Sequence, residues 1–452
     1  MPSPPPNDAI TQGPILRGLA RLAMPMLLIS VLQNAQNLID LFWVGRLGPH
    51  AIAAVALSGT VMMAVFPMLL GLSTGTVAIV SRAVGAGNAG EAARASGQSL
   101  VLGLVAGALA AAAGFGLSVP ILRSLGAGPD VLPAATTYLR ILLGGSLLVY
   151  LLFLGNAALQ GAGDAVRPMY ILMVSNVVNI VFDPLLIFGI GPFPRMGVEG
   201  AAWATLLAEA VAAAISMRIL LGGRAHVHVR WRDLRPDGAM AWRILRIGMA
   251  GTGQMLSRSL MGLVLMRLVA GFGTTAVAAY GTGMRFHMII LMPAFALGGA
   301  AATMVGQNLG ARRPDRARRA AWAATRLDLL VMAASAILLF LFAPALIRRF
   351  NPHPEVVAIG SHYLRVVSPA YLFVALAIVL GRALNGAGDT FWPMIFTVAS
   401  LWGVQVPLSV YWSRIAWRSL DGIWWAYVAA AVLHGALTVG WFQLGRWQRR
   451  RV

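Results

Sequence analysis

The sequence predicts an all-α polytopic membrane protein whose twelve transmembrane helices form two six-helix lobes related by a parallel pseudo-two-fold repeat. Composition predicts the membrane, because 58% of the 452 residues are hydrophobic and only 11% are charged, whereas soluble domains carry about 25% charged residues. A self-similarity at an offset of 225 residues predicts the two lobes. So apolar a chain leaves no room for a sizeable soluble domain.

Twelve apolar stretches lie between charged or Gly/Pro-rich breaks, each near the length of about 20 residues that crosses a bilayer as a helix. They predict helices over residues 15–45, 51–79, 94–118, 132–156, 168–190, 198–221, 243–269, 276–305, 320–345, 357–382, 393–413 and 423–445. The N-terminal segment lacks the basic-then-apolar order of a cleaved signal. We therefore expect the first helix itself to direct insertion.

The distribution of basic residues predicts the orientation. All 35 are arginines, and an orientation with both termini inside places 23 of them on the cytoplasmic side and 8 in the outer loops. Because basic residues accumulate on the cytoplasmic side of inner-membrane proteins, both termini are expected in the cytoplasm of a bacterium. Arginines in short loops indicate membrane orientation and contact with lipids rather than binding of nucleic acid.

An internal repeat divides the chain into two halves. Eight residues around the fourth helix recur 225 positions later. They are Ala158, Leu159, Gly161, Ala162, Gly163, Asp164, Pro168 and Met169, which recur as Ala383, Leu384, Gly386, Ala387, Gly388, Asp389, Pro393 and Met394. The same offset maps Gly48 onto Gly273 and Gly85 onto Gly310. Six helices per half give both halves the same topology, so the pseudo-two-fold axis runs along the membrane normal, as in transporters built from parallel repeats.

The predicted domain organisation follows from the repeat. We expect a disordered cytoplasmic tail at 1–14, an N-terminal lobe at 15–221, a basic cytoplasmic linker at 222–242, a C-terminal lobe at 243–445 and a basic tail at 446–452. A monomer is expected. The fold alone does not decide function.

Two acids break the symmetry of the repeat. Asp40 lies in the first span, and its equivalent in the repeat is Leu265. Asp183 lies in the fifth span, and its equivalent is Leu408. A carboxylate at mid-membrane costs about 2.5–3.5 kcal/mol on insertion scales, and leucine satisfies the scaffold in the other half. Burial and a like-charged neighbour favour the protonated form of a carboxyl group. Asp40 and Asp183 are therefore the predicted cation-coupling residues.

Amide side chains lie at helical spacing before each acid, so each acid belongs to a polar stripe along one face of its helix. Gln33, Gln36 and Asn37 precede Asp40, and Asn176 and Asn179 precede Asp183. Polar faces in lipid turn inward, so the stripes are predicted to line the N-terminal lobe as substrate or cation ligands, together with Tyr138 and Asn156. The alternative interpretation is that the amides only bond helices to one another.

Pro25 lies inside the first span, before the polar stripe. Proline removes a backbone hydrogen bond from a helix, so Pro25 is a candidate hinge. The alternative is a kink that neighbouring helices tolerate.

The composition also argues against several kinds of site. The chain has no cysteine, which excludes disulfides and thiolate metal sites. Its seven histidines are scattered without His-Glu-x-x-His spacing, and no nucleophile or metal constellation for a membrane-embedded enzyme is visible. Neither a cofactor nor an enzymatic activity is expected.

At these residues the sequence resembles the multidrug and toxic compound extrusion (MATE) family of cation-coupled antiporters. The likeness rests on an early proline in the first span, Asp40 followed by Trp-Val-Gly-Arg-Leu-Gly, the Gln160-Gly-Ala-Gly-Asp164 turn with its partner at Asn385–Asp389, and Asp183-Pro184. The resemblance implies twelve helices in two lobes. It also implies export of amphipathic drugs, typically organic cations, against inward flow of protons or sodium.

Within the family, the chain looks most like the DinF-like branch. That resemblance implies coupling at Asp40, Tyr138, Asn156, Asn179 and Asp183. The sodium-associated branch is known for acids in the C-terminal lobe, whereas here span seven offers Gln254 and Arg258 and span ten has no acid. Proton coupling is favoured, and sodium at Asp40 and Asp183 is kept as an alternative, because carboxylates with amide oxygens also suit a hard cation.

A flippase for a lipid-linked saccharide is the nearest rival function. Such a protein needs cations in its cavity to meet a pyrophosphate. Arg258 and Arg285 are the candidates near mid-span in the second half.

Overall fold

The computed structural model describes residues 10–223 and 227–450. The long helices of this part of the chain are α1 (Ile15–Gly45), α2 (Pro49–Gly85), α3 (Ala89–Ser124), α4 (Leu132–Gly144 and Ser146–Gly161), α5 (Val166–Phe188), α6 (Val198–Leu221), α7 (Gly238–Ala270), α8 (Thr274–Gly310), α9 (Pro314–Phe350), α10 (Pro354–Val367 and Tyr371–Gly386), α11 (Phe391–Ala416) and α12 (Asp421–Gln443). The predicted all-α fold with two six-helix lobes is confirmed.

Ten of these helices are long and apolar enough to cross a membrane, and eleven are if the two bent pieces of α4 are one span. The remaining long helix is α7, which carries Arg243, Arg246, Arg258 and Arg267. Its residue range is close to that of α1 shifted by the repeat offset of 225 residues, so α7 is the counterpart of the first span in the second lobe. It begins at Gly238 rather than at the predicted 243 and thus shortens the linker.

The repeat extends to the backbone conformation of the turns. Gly48 and Gly273 have φ angles of 101° and 100°, and Gly163 and Gly388 have φ angles of 88° and 80°. These left-handed conformations favour glycine, because any side chain would strain them. The same four turns therefore start or end equivalent helices in both halves.

Three helices depart from the simple spans that the sequence predicts. The two pieces of α4 meet at an angle of 44° at Gly145, where an added Cβ would overlap Leu206 of α6. A short 3₁₀ segment around Pro369 interrupts α10, and the hydroxyl of Ser368 donates to the Arg365 carbonyl at 3.2 Å. In α11, π-helical segments flank Pro407, which cannot donate a backbone hydrogen bond.

The two lobes meet at the end of the bundle that carries the chain termini. A Cβ added to Gly85 would overlap the carbonyl oxygen of Gln307, and a Cβ added to Gly310 would overlap that of Arg82. Position 307 is the repeat equivalent of position 82, so this contact is reciprocal, as two-fold symmetry requires. Two side-chain bonds reinforce it: Arg82 Nη2 donates to the Ala387 carbonyl at 2.9 Å, and Gln307 Nε2 donates to the Gly161 carbonyl at 3.0 Å.

Further contacts close the same end. The helix α2 passes tightly over α7, where a Cβ on Gly71 or Gly75 would overlap Thr252 or the Ile244 carbonyl. On α1, Leu19, Leu22 and Met26 share one core cluster with alanines of α8. These contacts lie in the halves of α1, α2, α7 and α8 nearest the termini, so this end is closed.

The connecting segments pack on the closed end. Of the predicted disordered tail 1–14, residues 1–9 lie outside the described part, and within residues 10–13 the carbonyls of Ile10 and Thr11 accept hydrogen bonds from Arg316 at 3.2 Å and Arg313 at 2.9 Å. The linker forms a short 3₁₀ turn at Trp231–Leu234. Within the C-terminal tail, Trp447 is fully buried.

Candidate functional site

The two symmetry-breaking acids face each other inside the N-terminal lobe. Asp40 on α1 and Asp183 on α5 lie close enough for their side chains to interact. Asn179, one turn before Asp183, donates to its Oδ1 at 3.4 Å and also lies near Asp40. Asp183 and Asn179 have no exposed surface, which places the pair in the interior of the lobe.

Neighbouring helices complete this polar interior. Tyr138 on α4 lies close enough to both acids to interact electrostatically with them. Glu209 on α6 interacts in the same way with Asp40 and with Tyr138. Four helices of one lobe thus direct an acid or a phenol toward the same region. We call Asp40, Asp183, Asn179, Tyr138 and Glu209 the acidic pocket.

Packing of α5 against α1 sets the distance between the two acids. Asn176 donates from Nδ2 to the carbonyl of Leu32 at 2.9 Å, two turns before Asp40 along α1. This bond joins the two helices. Asn176 therefore has the helix-joining role that the alternative interpretation gives to the amides. It also holds Asp183 at a fixed height relative to Asp40.

Two ionised carboxylates at this separation repel each other strongly in a low-dielectric interior unless a proton or another cation lies between them. Three oxygens of the acidic pocket are buried without a hydrogen-bond partner among the described residues: Asp40 Oδ1, Asp183 Oδ2 and Asn179 Oδ1. Each is an acceptor that a proton or cation would satisfy. The arrangement can therefore accept one small positive charge.

The other predicted residues lie around this centre. Gln33 and Gln36 are half-buried and Asn37 is exposed on the helix that carries Asp40. Asn156 lies on α4 with a buried Oδ1 that has no partner among the described residues. Pro25 is inside α1, half-buried, and next to Met26 of the closed end. A hinge at Pro25 stays a prediction.

Sequence reasoning missed two membrane-embedded acids. Glu209 belongs to the acidic pocket, and its repeat equivalent is His434, so a comparison of α6 with α12 would have found it. Asp328 on α9 is fully buried, both its carboxylate oxygens lack partners among the described residues, and its equivalent is Gly103. Asp328 lies in the other lobe and takes no part in the acidic pocket.

The C-terminal lobe has no acidic pocket at the equivalent place. Leu265 and Leu408 replace the two aspartates. Tyr363, the equivalent of Tyr138, packs edge-on against Trp424 with a centroid distance of 4.6 Å and against Tyr280 at 5.6 Å. An aromatic cluster thus fills the region that acids occupy in the first lobe.

Known proteins resemble the chain over nearly its whole length. It is 28% identical to the probable multidrug resistance protein YoeA of Bacillus subtilis, covering 97% of this chain and 95% of that protein. It is 29% identical to a FAD transporter of Shewanella oneidensis, covering 90% of each. A solved structure of a multidrug resistance MATE family transporter of the MOP superfamily in its outward-facing conformation superposes with a TM-score of 0.89 at 26% identity, covering 97% of each chain.

A match to a protein-family model confirms both the predicted family and the repeat. The model of the MatE family matches residues 25–185 and, a second time, residues 252–411. Each match falls within one lobe, and together they span more than half of the chain. The assignment to a DinF-like branch stays a prediction. By sequence, by repeat and by fold, this chain belongs to the MatE family of transporters.

Proposed function

We propose that the protein is a proton-coupled antiporter that exports amphipathic, drug-like molecules, organic cations among them, across the bacterial inner membrane by alternating access. The observation that carries this proposal is the confinement of the acid pair Asp40–Asp183 to one of two otherwise equivalent lobes. The C-terminal lobe carries leucine at both equivalent positions, so the fold does not require an acid there. The free-energy cost of two buried acids therefore needs a functional reason.

The proposed coupling follows from competition for the acidic pocket. With the pocket open to the outside, a proton binds between Asp40 and Asp183 and reduces by one the negative charge that holds a cationic substrate, so the substrate is bound more weakly and leaves. After reorientation the proton leaves on the cytoplasmic side and the restored charge binds the next substrate. Each ligand drives the cycle only because the two states differ in affinity for it.

The closed end of the bundle supports alternating access as the route. The lobes seal against one another through backbone contacts of Gly85 and Gly310 and through Arg82 and Gln307. We assign this end to the cytoplasm because the arginine-rich linker and both termini lie there. Opening it requires these four residues to separate as one lobe rocks against the other.

The number of facing carboxylates supports a proton rather than sodium as the proposed coupling ion. Among the residues that the structure describes, no group of three or more His, Asp or Glu side chains has metal-ligand spacing, so Glu209 adds no third carboxylate to a cation site at the pair. Sodium prefers several oxygen ligands, as other hard cations do. A shared proton needs only the two facing carboxyls.

A second candidate cargo is a flavin nucleotide, because the relative from Shewanella oneidensis is named a FAD transporter. Its phosphates would need cationic partners inside the membrane. The observation that favours it is the presence of Arg258 and Arg382 in the second lobe, neither of which forms an ion pair within residues 10–223 and 227–450. A lipid-linked saccharide has the same requirement.

The test is efflux of a fluorescent organic cation from proteoliposomes, first under an imposed proton gradient and then under a sodium gradient. We expect efflux that follows the proton gradient and disappears in Asp40→Asn. Asp130→Asn is the matched control, because Asp130 is exposed in the loop after α3 and should transport like the wild type. Efflux driven only by sodium would overturn the coupling ion, and no efflux under either gradient would shift the proposal to the second candidates.

A further inference from the structure

The interior of the C-terminal lobe holds two arginines without acidic partners. Arg258 on α7 and Arg382 on α10 are half-buried and lie close enough to interact electrostatically. Among the described residues neither forms an ion pair, and the buried Nε of Arg258 has no hydrogen-bond partner. The guanidinium carbon of Arg382 lies 5.3 Å from the ring centroid of Phe295.

Two histidines and one tyrosine lie around Arg258. His287 on α8, together with His434 and Tyr427 on α12, interacts electrostatically with it. His287 Nδ1 lies 3.0 Å from the hydroxyl of Tyr371, so hydrogen bonding orients this ring. The two imidazole rings also retain hydrogen-bonding nitrogens in a region that is otherwise aromatic.

The repeat shows that the scaffold does not require these residues. The equivalents of Arg258, His287, Arg382 and His434 are Gln33, Met62, Ala157 and Glu209 in that order. Not one of the four is basic, and at Glu209 the sign of the charge is opposite. The first lobe packs the equivalent helices without a cation at these four positions, which makes the basic residues of the second lobe a candidate functional feature by the same argument that singles out Asp40 and Asp183.

Two half-buried guanidinium groups that interact electrostatically repel each other, and each has N–H donors to satisfy. One anionic group with two or three oxygens meets both requirements at once, since the planar fork of arginine matches carboxylate and phosphate oxygens in bidentate fashion. Aromatic side chains beside the guanidinium groups supply an apolar wall for the rest of such a ligand.

We propose that the C-terminal lobe binds the carboxylate or phosphate group of an amphipathic cargo through Arg258 and Arg382, with His287 and His434 as additional donors. The inference rests on the proposed transport function and names the cargo class: amphiphiles that carry an acidic group, including zwitterions whose positive end meets the acidic pocket of the first lobe. The arginine that completes the site is Arg382 rather than Arg285, which is exposed on α8.

Equilibrium binding to the full-length protein in nanodiscs tests the inference without any gradient. Rhodamine B carries a carboxylate that its ethyl ester lacks, and flavin mononucleotide carries a phosphate that riboflavin lacks. We expect the wild type to bind the acid member of at least one pair about tenfold more tightly, the scale of one charge-assisted hydrogen bond, after subtraction of binding to empty nanodiscs. The dye pair reports on carboxylate and the flavin pair on phosphate.

The variants Arg258→Gln and Arg382→Gln should each remove this preference while leaving the affinity for the ester or for riboflavin unchanged. Arg285→Gln should change neither affinity. Equal binding within both pairs by the wild type, or equal losses for both members in the variants, would overturn the anion site. Because the assay needs no proton gradient, failure of proton-driven efflux would overturn the proposed function and leave the binding result standing.

Discussion

The two lobes share one scaffold and differ in the charge of their interiors. Inside the N-terminal lobe, the acids Asp40, Asp183 and Glu209 lie near one another. Inside the C-terminal lobe lie Arg258 and Arg382, with aromatic residues around them. Gly48 and Gly273 have the same backbone conformation, so equivalent turns are kept in both lobes. The difference teaches that a repeat supplies its own control: a polar residue absent from one copy is not required by the shared scaffold.

The largest expected effect is the loss of either acid of the pair. Asp40→Asn and Asp183→Asn each keep the volume and remove the charge, so proton-driven efflux should fall to the level of protein-free liposomes. Expression and melting temperature should remain those of the wild type. Retained efflux in both variants, measured in proteoliposomes of equal protein content, would contradict the assignment of coupling to the first lobe.

Glu209→Gln is expected to weaken transport without abolishing it. Glu209 interacts with Asp40 through its charge, and one such interaction amounts to about 1 kcal/mol or somewhat more, or roughly a tenfold change in rate or affinity. Initial efflux rates across substrate concentrations measure it. Glu355→Gln, exposed at the start of α10, is the matched variant and should leave efflux unaltered; equal losses in both would show that the effect does not come from the acidic pocket.

Substitution of the glycines at the lobe contact tests the shared scaffold. Gly85→Ala and Gly310→Ala each force a Cβ against a backbone carbonyl of the other lobe, and overpacking of this kind costs about 1–3 kcal/mol. Both should lower the melting temperature by a similar amount, because the contact is reciprocal. Gly262→Ala on α7 meets open space and should not lower it. Unequal effects of the two contact variants would show that the halves are less equivalent than the backbone indicates.

The smallest effect is expected at Asp328. Its carboxyl group is fully buried without a partner among the described residues, and such a group costs about 1–3 kcal/mol. Asp328→Ala should therefore raise the melting temperature slightly, the small cavity offsetting part of the gain, and efflux should be unchanged. Loss of efflux in this variant would place a coupling acid in the second lobe.

Much of the fold was predictable because hydropathy and the repeat are both strong signals. The twelve helices and both lobes follow from them, and the family match confirms each half separately. The bend at Gly145, the π-helical turns beside Pro407 and the early start of α7 were not predictable. They depend on contacts with neighbouring helices, such as Leu206 against Gly145, that no local pattern encodes.

The candidate site was predictable only in part. Helical spacing predicted the polar stripes, and the structure brings Asp40, Asp183, Asn179 and Tyr138 together. It directs Asn176 to a backbone carbonyl instead, because which amide reaches an acid depends on the rotation of α5 against α1. Glu209 escaped notice since an isolated acid in an alanine-rich helix forms no stripe.

The reciprocal contact of Gly85 and Gly310 has a consequence for ancestry. A surface that meets its own equivalent across a two-fold axis is self-complementary, so a single six-helix chain bearing it would form an isologous homodimer. The contact uses backbone atoms of Arg82 and Gln307 rather than their side chains, so it survives divergence of sequence. Gene duplication and fusion of such a dimer yields the present chain, and fusion frees each half to acquire a charge that a homodimer would have to carry twice.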